Sequence, residues 1–381
     1  MTERLNSALC NVRKSSIREF TRIAKSVEGC MFLTLGEPDF NTPDEIKRQA
    51  KMDLDANLTH YPENNGQPQL RMAISDFERE KNRLDYAEDE IIVTIGATEA
   101  LFVALFGILN PGDEVIVPVP AYVLYEQVIN LMRGKYVPLE TGDTAFQPVR
   151  ERLEAAITPA TKAIILTSPN NPTGCIYTEE TLDMIADVLR GRDIFIICDD
   201  VYSQLVYTDR YKSFSSYRQF RDRMIVVQSF AKPYAMTGWR VGYLMTDRPL
   251  KQKLEVIHQY AVVSAASFVQ NACVEALRSD PGGMVEIYRK RRDYVYGRIV
   301  GMGLPVNKPE GAFYIFPDIS RYGMDSMTFA TKLANEGKLA VTPGVSFGDD
   351  NCVRISYCYS DEELREGMDR LERFIGGLDR R

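Results

Sequence analysis

The sequence has little histidine, and its cysteines follow no regular spacing. Of 381 residues only two are histidine, His60 and His258, and neither has a partner at metal-ligand spacing. This argues against a metal site and against catalysis by a serine–histidine or cysteine–histidine pair. The seven cysteines include no C-x-x-C pair, and their odd number favours reduced thiols over a disulfide framework. The chemistry of the protein is therefore expected to use other side chains.

Long apolar runs and an excess of one charge are also missing. The 46 basic and 53 acidic residues give a formal net charge of −7 without a long run of one sign. Nucleic acid and anionic membranes are therefore not expected as partners. No apolar stretch approaches the length of a transmembrane helix, and none follows the charges of the first residues. These absences predict a cytoplasmic enzyme that acts on small molecules.

The middle of the chain alternates short apolar runs with segments of helical period. Six β-branched-rich runs predict strands, and their continuous apolar character indicates burial on both faces of a mostly parallel sheet. They span residues 90–96, 113–120, 161–169, 193–200, 224–232 and 241–247. Between them apolar residues recur at helical spacing, as in Leu101, Leu105 and Ile108. The pattern predicts an α/β fold in which helices flank the sheet.

Chain length and a late change of pattern predict two domains. A chain of 381 residues exceeds the size at which one hydrophobic core usually stops growing. After "RSDPGG" (278–283) come a basic helix, short strands around "GAFYIFPD" and "NCVRISYC", and a final helix. The segment "CMFLTLGEPDFNTP" (30–43) is extended and is expected to pack on this second part. We expect a large domain over residues 45–282 and a smaller α+β domain over 1–44 and 283–381.

Unusual residues follow five of the predicted strands at their carboxyl ends, where open parallel sheets bind ligands. In chain order they are Ala97 and Thr98, Tyr122, Asn171, Asp199, and the pair Ser229 and Lys232. Any one of them is explained as a turn former or a helix cap. Five strand ends of this kind in one sheet together predict one ligand site.

The chemistry of these residues suits a phosphorylated aromatic heterocycle. "GATEAL" is a strand-to-helix turn whose N–H groups and Thr98 hydroxyl suit a phosphate. Tyr122 offers a flat aromatic face. Asp199 is an acceptor at the end of an apolar strand, and desolvation there demands a cation or a donor.

A lysine and an arginine stand in the apolar stretch "SFAKPYAMTGWRVG". Desolvation and the neighbouring Arg240 would lower the pKa of Lys232 and make it a nucleophile toward a carbonyl. Arg240 can also bind a phosphate through two hydrogen bonds. The plainer alternative is that both side chains lay their stems on apolar surface and put their charges in water.

These motifs resemble those of fold type I pyridoxal-phosphate enzymes in the class I and II aminotransferase family. The resemblance runs from "LTLGEPDF" through "GATEAL", "SPNNPTG", "CDDVY" and "SFAKPYAMTGWRVG" to "GAFYIFP", "PGVSFG" and "VRISY". It implies the fold type I α/β architecture and transfer of an amino group from an L-amino acid to a 2-oxo acid, with 2-oxoglutarate as the expected acceptor. The implied mechanism is ping-pong, through aldimine and ketimine intermediates. "SSIREF" and "RRDYVYGRIVGMGL" resemble the bacterial N-acetyl-diaminopimelate and aspartate or aromatic branch.

The resemblance also implies how the cofactor, pyridoxal 5'-phosphate, is held. Lys232 would form the Schiff base and shuttle the proton between substrate Cα and cofactor C4′. Asp199 would keep the pyridine nitrogen protonated, and Tyr122 would stack on the ring. The phenolic oxygen would bond Asn171 and Tyr202. The phosphate would be held by Ala97, Thr98, Ser229 and Arg240.

The same resemblance implies the substrate contacts and a shared site. Arg354 would bind the substrate α-carboxylate. Gly36, Asn171 and Ile17 would lie beside it, with Arg18 next to Ile17 in a closing segment. Tyr61 would come from a neighbouring subunit, so a homodimer is expected. The plainer alternatives are a surface ion pair for Arg354 and a rim aromatic for Tyr61.

One departure from the family pattern bears on the substrate, and two alternatives to aminotransferase activity are left open. Thr98 stands where prokaryotic aspartate aminotransferases often carry a lysine for the distal carboxylate, so that route to dicarboxylate recognition is missing. A carbon–sulfur lyase or decarboxylase of the same fold would use the same cofactor. A regulator with a non-catalytic aminotransferase-like effector domain is disfavoured, because fewer than forty residues precede "LTLGEPDF", too few for a DNA-binding domain.

Overall fold

Twelve strands and twelve α-helices make up the part of the chain that is described. The structure is a computed structural model of residues 5–12 and 16–379, without the side chains of Ser16 and Arg18. The strands are β1 (Met31–Phe32), β2 (Ile91–Thr94), β3 (Glu114–Val119), β4 (Lys135–Glu140), β5 (Thr161–Thr167), β6 (Phe195–Asp199), β7 (Met224–Ser229), β8 (Gly242–Thr246), β9 (Tyr314–Ile315), β10 (Leu339–Ala340), β11 (Thr342–Pro343) and β12 (Val353–Ser356).

The helices alternate with the strands in the first two thirds of the chain. They are α1 (Ser16–Lys25), α2 (Asp44–Asp55), α3 (Pro68–Phe77), α4 (Gly96–Ile108), α5 (Leu124–Leu131), α6 (Arg150–Ala156), α7 (Glu179–Leu189), α8 (Arg248–Val262), α9 (Ser267–Arg278), α10 (Gly282–Gly301), α11 (Ser326–Glu336) and α12 (Asp361–Leu378). Within the described ranges, none of them has both the length and the apolar character that crossing a bilayer requires.

Seven strands form the central sheet, in the order β2-β8-β7-β6-β5-β3-β4. β8 is antiparallel to both its neighbours, and the other pairs are parallel. The register puts Thr167 beside Asp199 and Asp199 beside Val227, so the carboxyl ends of β5, β6 and β7 lie level. The predicted mostly parallel α/β sheet is confirmed.

Two strand predictions need correction. The edge strand β4 was not predicted, because Lys135, Pro138 and Glu140 break its apolar pattern and are exposed, as is usual at a sheet edge. β7 was predicted to run to residue 232 but ends at Ser229. The chain turns there, with the Met236 N–H donating to the Ala231 carbonyl.

Both faces of the central sheet are covered. Helices α4, α5 and α8 supply the buried apolar side chains on one face, and α2, α3, α6, α7 and α9 supply those of the second cluster. In α7, Leu182, Ile185 and Leu189 are buried as their spacing predicts, and the Thr178 hydroxyl caps the helix by accepting from the Thr181 N–H. The helices thereby hold the strand ends in fixed positions.

A third hydrophobic cluster joins the two ends of the chain. β1 pairs in parallel with β10, and Leu33 packs in the same cluster as Phe313, Ile355 and Leu371. β11, β12 and β9 form an antiparallel sheet in this region. The segment 30–43 therefore packs on the later part of the chain, as expected. α10 begins at Gly282, before the charged segment that predicted it. The sequence did not indicate this start, because the helix opens with two glycines, which have low helix propensity.

Candidate active site

A cavity of about 370 Å³ lies at the carboxyl ends of the parallel strands. Every site residue predicted from the sequence lines it, apart from Tyr61. These residues are Ile17, Gly36, Ala97, Thr98, Tyr122, Asn171, Asp199, Tyr202, Ser229, Lys232, Arg240 and Arg354. Tyr61 is 89% exposed and lies outside this lining. The side chain of Arg18 lies outside the described residues.

Lys232 stands in the turn that follows β7 and is half-buried. Its Nζ donates a hydrogen bond of 2.5 Å to the Gly36 carbonyl. Burial lowers the pKa of Lys232 to about 8; the charges of Arg354 and Arg240 act in the same direction, and Glu37 opposes them. A useful fraction of this amine is therefore unprotonated near neutral pH, as a nucleophile requires.

The turn that carries Lys232 is tied to the segment that carries Gly36. The Thr42 hydroxyl donates to the Ala235 carbonyl at 2.6 Å, and the Thr237 hydroxyl donates to the Glu37 carboxylate. Ala235 has a positive φ of 51°, which marks the tight part of the turn. These contacts fix Lys232 relative to Gly36 across two distant parts of the sequence.

Asp199 ends β6 and is buried in the cavity wall. Its Oδ2 accepts a hydrogen bond of 2.5 Å from the Tyr125 hydroxyl, which also contacts the Thr167 hydroxyl at 2.7 Å. The other oxygen, Oδ1, is buried with no hydrogen-bond partner among the described residues. Burial raises the pKa of Asp199 to about 6, against the lowering effects of the Tyr125 hydroxyl and the Val201 N–H. The site thus holds a strong acceptor that still needs a donor.

The strand-to-helix turn before α4 is shaped by a glycine and an arginine. Gly96 has a φ of +74°, and a Cβ on it would lie 2.7 Å from Arg240 Nη2. The guanidinium of Arg240 therefore packs directly on the turn. The first N–H groups of α4, including those of Ala97 and Thr98, have no acceptor within the helix. Together with the guanidinium they suit an anion.

Arg354 extends from β12 into the same cavity and is 5% exposed. Its Nη1 donates to Asn171 Oδ1 at 2.8 Å, and its Nη2 donates to the Thr34 carbonyl at 2.7 Å. The guanidinium carbon lies 4.5 Å from the centre of the Tyr314 ring. The alternative of a surface ion pair is wrong, because the side chain is buried and these partners are neutral. A buried, positioned guanidinium suits a carboxylate ligand.

Two tyrosines close the wall beside Gly36. The hydroxyls of Tyr202 and Tyr314 lie 2.8 Å apart. A Cβ on Gly36 would overlap the Tyr314 hydroxyl, so this position requires glycine. Ser229 is buried, and its hydroxyl accepts from the Ala231 N–H at 3.1 Å.

Several lining residues were not predicted. They are Thr34, Leu35, Leu101, Leu124, Tyr125, Thr167, Val201, Ala231, Thr237 and Tyr314. Two of them had a signal in the sequence: Tyr125 stands one helical turn after Tyr122, and Thr167 precedes "SPNNPTG" at the end of a predicted strand. Tyr314 reaches the cavity only because the later part of the chain packs there.

Comparison with known proteins gives consistent matches over nearly the whole chain. The model of the family "Aminotransferase class I and II" matches residues 28–371. The chain is 42% identical over 381 residues to a probable N-acetyl-LL-diaminopimelate aminotransferase of Bacillus subtilis, covering 98% of this chain and 96% of that protein. It is 39% identical to a probable aspartate aminotransferase of Methanocaldococcus jannaschii, covering 96% and 98%. The crystal structure of an aspartate aminotransferase from Thermotoga maritima superposes with a TM-score of 0.94 at 35% identity, covering 98% of this chain and all of that one.

Proposed function

Since the chain belongs to the class I and II aminotransferases, whose cofactor is pyridoxal phosphate, we propose that it moves the amino group of an L-amino acid to 2-oxoglutarate in two half-reactions. The observation that carries this proposal is that an amine of lowered pKa, on Lys232, lines the same cavity as the unpartnered buried oxygen of Asp199. The names of the relatives make aspartate and N-acetyl-diaminopimelate the first donors to test.

The residues of the cavity fit the cofactor. Asp199 Oδ1 can accept a hydrogen bond from a protonated ring nitrogen, which would supply the partner that this buried oxygen lacks. Gly96 leaves room for Arg240 over the turn where the first α4 N–H groups suit a phosphate. When bound, pyridoxal phosphate supplies an electron sink for the negative charge left on the substrate Cα.

The lining of the cavity supports the following proposed roles. Lys232 would hold the cofactor through its amine and would carry the proton to and from the substrate Cα. Tyr122 would lie against the ring, and Asn171 and Tyr202 would bond its phenolic oxygen. Ala97, Thr98, Ser229 and Arg240 would bind the phosphate.

Other residues of the same cavity would hold the substrate. Arg354 binds the α-carboxylate, and its bond to Asn171 sets the guanidinium plane. Gly36 and Ile17 lie beside that carboxylate. We also propose the domain division at residues 45–282 against 1–44 and 283–381, which the separate hydrophobic clusters support. The cavity would then lie between the domains, with Lys232 on one side and Arg354 on the other.

We propose that the enzyme is a homodimer in which Tyr61 completes the partner's phosphate site. Tyr61 is exposed, and so is Tyr260 on α8, at 83%. Phe106 on α4 is exposed as well, and α4 packs against α8. The end of α8 contacts Asn64 in the loop of residues 56–67 that carries Tyr61, so the exposed side chains form an apolar face next to that loop. A second copy of the chain is the occupant that would both bury this face and bring Tyr61 to a cavity.

Hybrid dimers test whether Tyr61 acts in the partner's site. Tyr61→Phe is expected to weaken cofactor binding about tenfold or more, the cost of one hydrogen bond to a charged group. A hybrid of a Tyr61→Phe chain with a Lys232→Ala chain should regain one tight, active site per dimer, because one cavity then has both native residues. If the hybrid shows no wild-type site, Tyr61 acts within its own chain; if the Tyr61→Phe homodimer binds the cofactor as tightly as the wild type, Tyr61 has no role in binding.

Amine transfer itself is tested by adding single amino acids to the purified holoenzyme. We expect an accepted donor to convert the bound cofactor to pyridoxamine phosphate, seen as a change of its absorption band, and 2-oxoglutarate to reverse the change. Addition of 2-oxoglutarate alone to the unconverted enzyme is the control and should leave the band unchanged. Release of pyruvate and sulfide from cysteine, or of pyruvate and homocysteine from cystathionine, without such conversion would instead identify a carbon–sulfur lyase.

A further inference from the structure

His258 is fully buried and bridges the first turn of α4, which lines the cavity, and the loop of residues 56–67 that carries Tyr61. Its Nδ1 lies 2.6 Å from Glu99 Oε1, and its Nε2 lies 2.7 Å from the Asn64 carbonyl. The Glu99 side chain is 10% exposed. Glu99 follows the turn of Gly96, Ala97 and Thr98 directly, whereas Asn64 belongs to the loop that bears Tyr61. No role in the proposed reaction accounts for this histidine.

The hydrogen bonds fix the charge of the His258–Glu99 pair. A carbonyl oxygen can only accept, so Nε2 must carry a hydrogen. The contact between Nδ1 and Glu99 then needs a proton of its own, because two lone pairs would repel at 2.6 Å. Whether this proton sits on the ring or on the carboxyl, the pair as a whole has no net charge. His258 thereby cancels the negative charge of Glu99.

Glu99 lies where a bare carboxylate would harm phosphate binding. It belongs to the first turn of α4, and its Oε2 accepts a 2.5 Å hydrogen bond from the Ile95 N–H, which fixes the start of the turn. An uncompensated negative charge in this turn would repel the phosphate dianion that the helix N-terminus attracts.

We propose that His258 is a positioning residue of the cofactor site, which cancels the charge of Glu99 beside the phosphate turn and ties that turn to the Tyr61 loop. The loop is fastened around this contact by two further bonds: the Asn64 amide donates to the Val263 carbonyl at 3.0 Å, and the Ser264 hydroxyl donates to the Glu63 carbonyl at 3.1 Å. In the dimer one imidazole would then support the phosphate turn of its own subunit and the tyrosine given to the partner. This inference rests on the proposed function, since it assigns the turn to the cofactor phosphate.

Four variants separate the charge effect from the structural tie. His258→Gln can keep the bond to Asn64 but leaves Glu99 uncompensated, so we expect the affinity of the apoenzyme for pyridoxal phosphate, and for inorganic phosphate, to fall about tenfold to hundredfold. Glu99→Gln should bind both as the wild type does, because its amide accepts from Ile95 and donates to Nδ1. Adding Glu99→Gln to His258→Gln should restore most of the lost affinity. His258→Asn can keep the contact with Glu99 but also leaves the charge of Glu99 uncancelled, so it should weaken phosphate binding to a similar extent.

The matched control is Glu78→Gln, which alters a fully buried carboxyl that accepts from Tyr243 and Asn82 outside the cavity. It should lower thermal stability and leave both affinities unchanged. If the double variant binds phosphate no better than His258→Gln, or if His258→Gln binds as the wild type, the proposal is wrong. A wild-type protein that binds no pyridoxal phosphate would instead overturn the proposed function.

Discussion

Replacing Lys232 by alanine is expected to lower the rate of amine transfer by about two to four orders of magnitude, since a positioned proton carrier contributes about 10²- to 10⁴-fold. The covalent attachment of the cofactor is lost as well. Noncovalent binding should persist through Arg240, Asp199 and the phosphate turn. Single-turnover measurement of donor conversion gives the rate, and mass spectrometry after borohydride reduction shows whether the cofactor is attached to the peptide that contains residue 232.

The control for this variant is Lys212→Ala, which removes a lysine paired with Glu179 at 2.9 Å outside the cavity. It should transaminate and become labelled as the wild type does. An alanine variant at position 232 that turns over at the wild-type rate, or that still retains reducible cofactor on another lysine, would refute the assignment of Lys232.

The lowered pKa of Lys232 adds a pH dependence to the same experiment. The unprotonated amine is the attacking form, and its population rises with pH. With a pKa of about 8, about one tenth of the amine is unprotonated at pH 7, against fewer than about one in a thousand for an ordinary lysine. Capture of the cofactor by apoenzyme should therefore speed up toward pH 8 and level off above it.

The sequence was sufficient to locate most of this site because parallel strands bring their carboxyl ends to one edge. Asp199, Asn171 and Lys232 are far apart in the chain, but each follows a buried strand, and the strand order then places them together. The family resemblance supplied their chemical roles. Whether Tyr125 faces the cavity depends on how α5 is rotated about its axis relative to the sheet, and periodicity alone does not determine that rotation.

Contacts between distant segments were beyond prediction from the sequence for a different reason. The bonds of Arg354 to Asn171 and Thr34 join three segments whose relative placement is set by packing of β12 and β1 against the rest of the chain. The His258 bridge is of the same kind, since no local pattern links α8 to α4 and the Tyr61 loop. Composition argued against histidine as a metal ligand, and it gives no sign that a buried histidine could act beside an anion site.

Replacing Asp199 by asparagine is expected to reduce amine transfer about a hundredfold to a thousandfold, the cost of breaking a buried charged pair by removing one partner. The asparagine is nearly isosteric and can still accept from the Tyr125 hydroxyl. It has no charge to keep a ring nitrogen protonated, so the electron sink is weakened while cofactor binding through the phosphate remains. Rates at saturating donor and cofactor measure this loss.

Asp200→Asn is the matched control, because Asp200 is the next residue, equally buried, and outside the cavity. Its Oδ2 accepts from the hydroxyls of Ser213 and Ser215. Burial raises its pKa to about 7, so asparagine resembles its neutral form, and activity should stay within about threefold of the wild type, as is usual away from the reacting groups. Equal losses in the two variants would show that burial of a carboxyl, rather than the place of Asp199, matters for the reaction.

Cofactor affinity measured against pH isolates the charge of Asp199. Its pKa of about 6 in the free cavity means that the carboxyl becomes protonated as the pH falls below 6, and the ionised form that attracts a ring cation is lost. Affinity of the wild-type apoenzyme should therefore decline as the pH falls through about 6. The cofactor phosphate also titrates near pH 6, but that contribution is common to wild type and Asp199→Asn. A decline that is steeper in the wild type than in the variant is the expected result, and parallel curves would assign the whole effect to the phosphate.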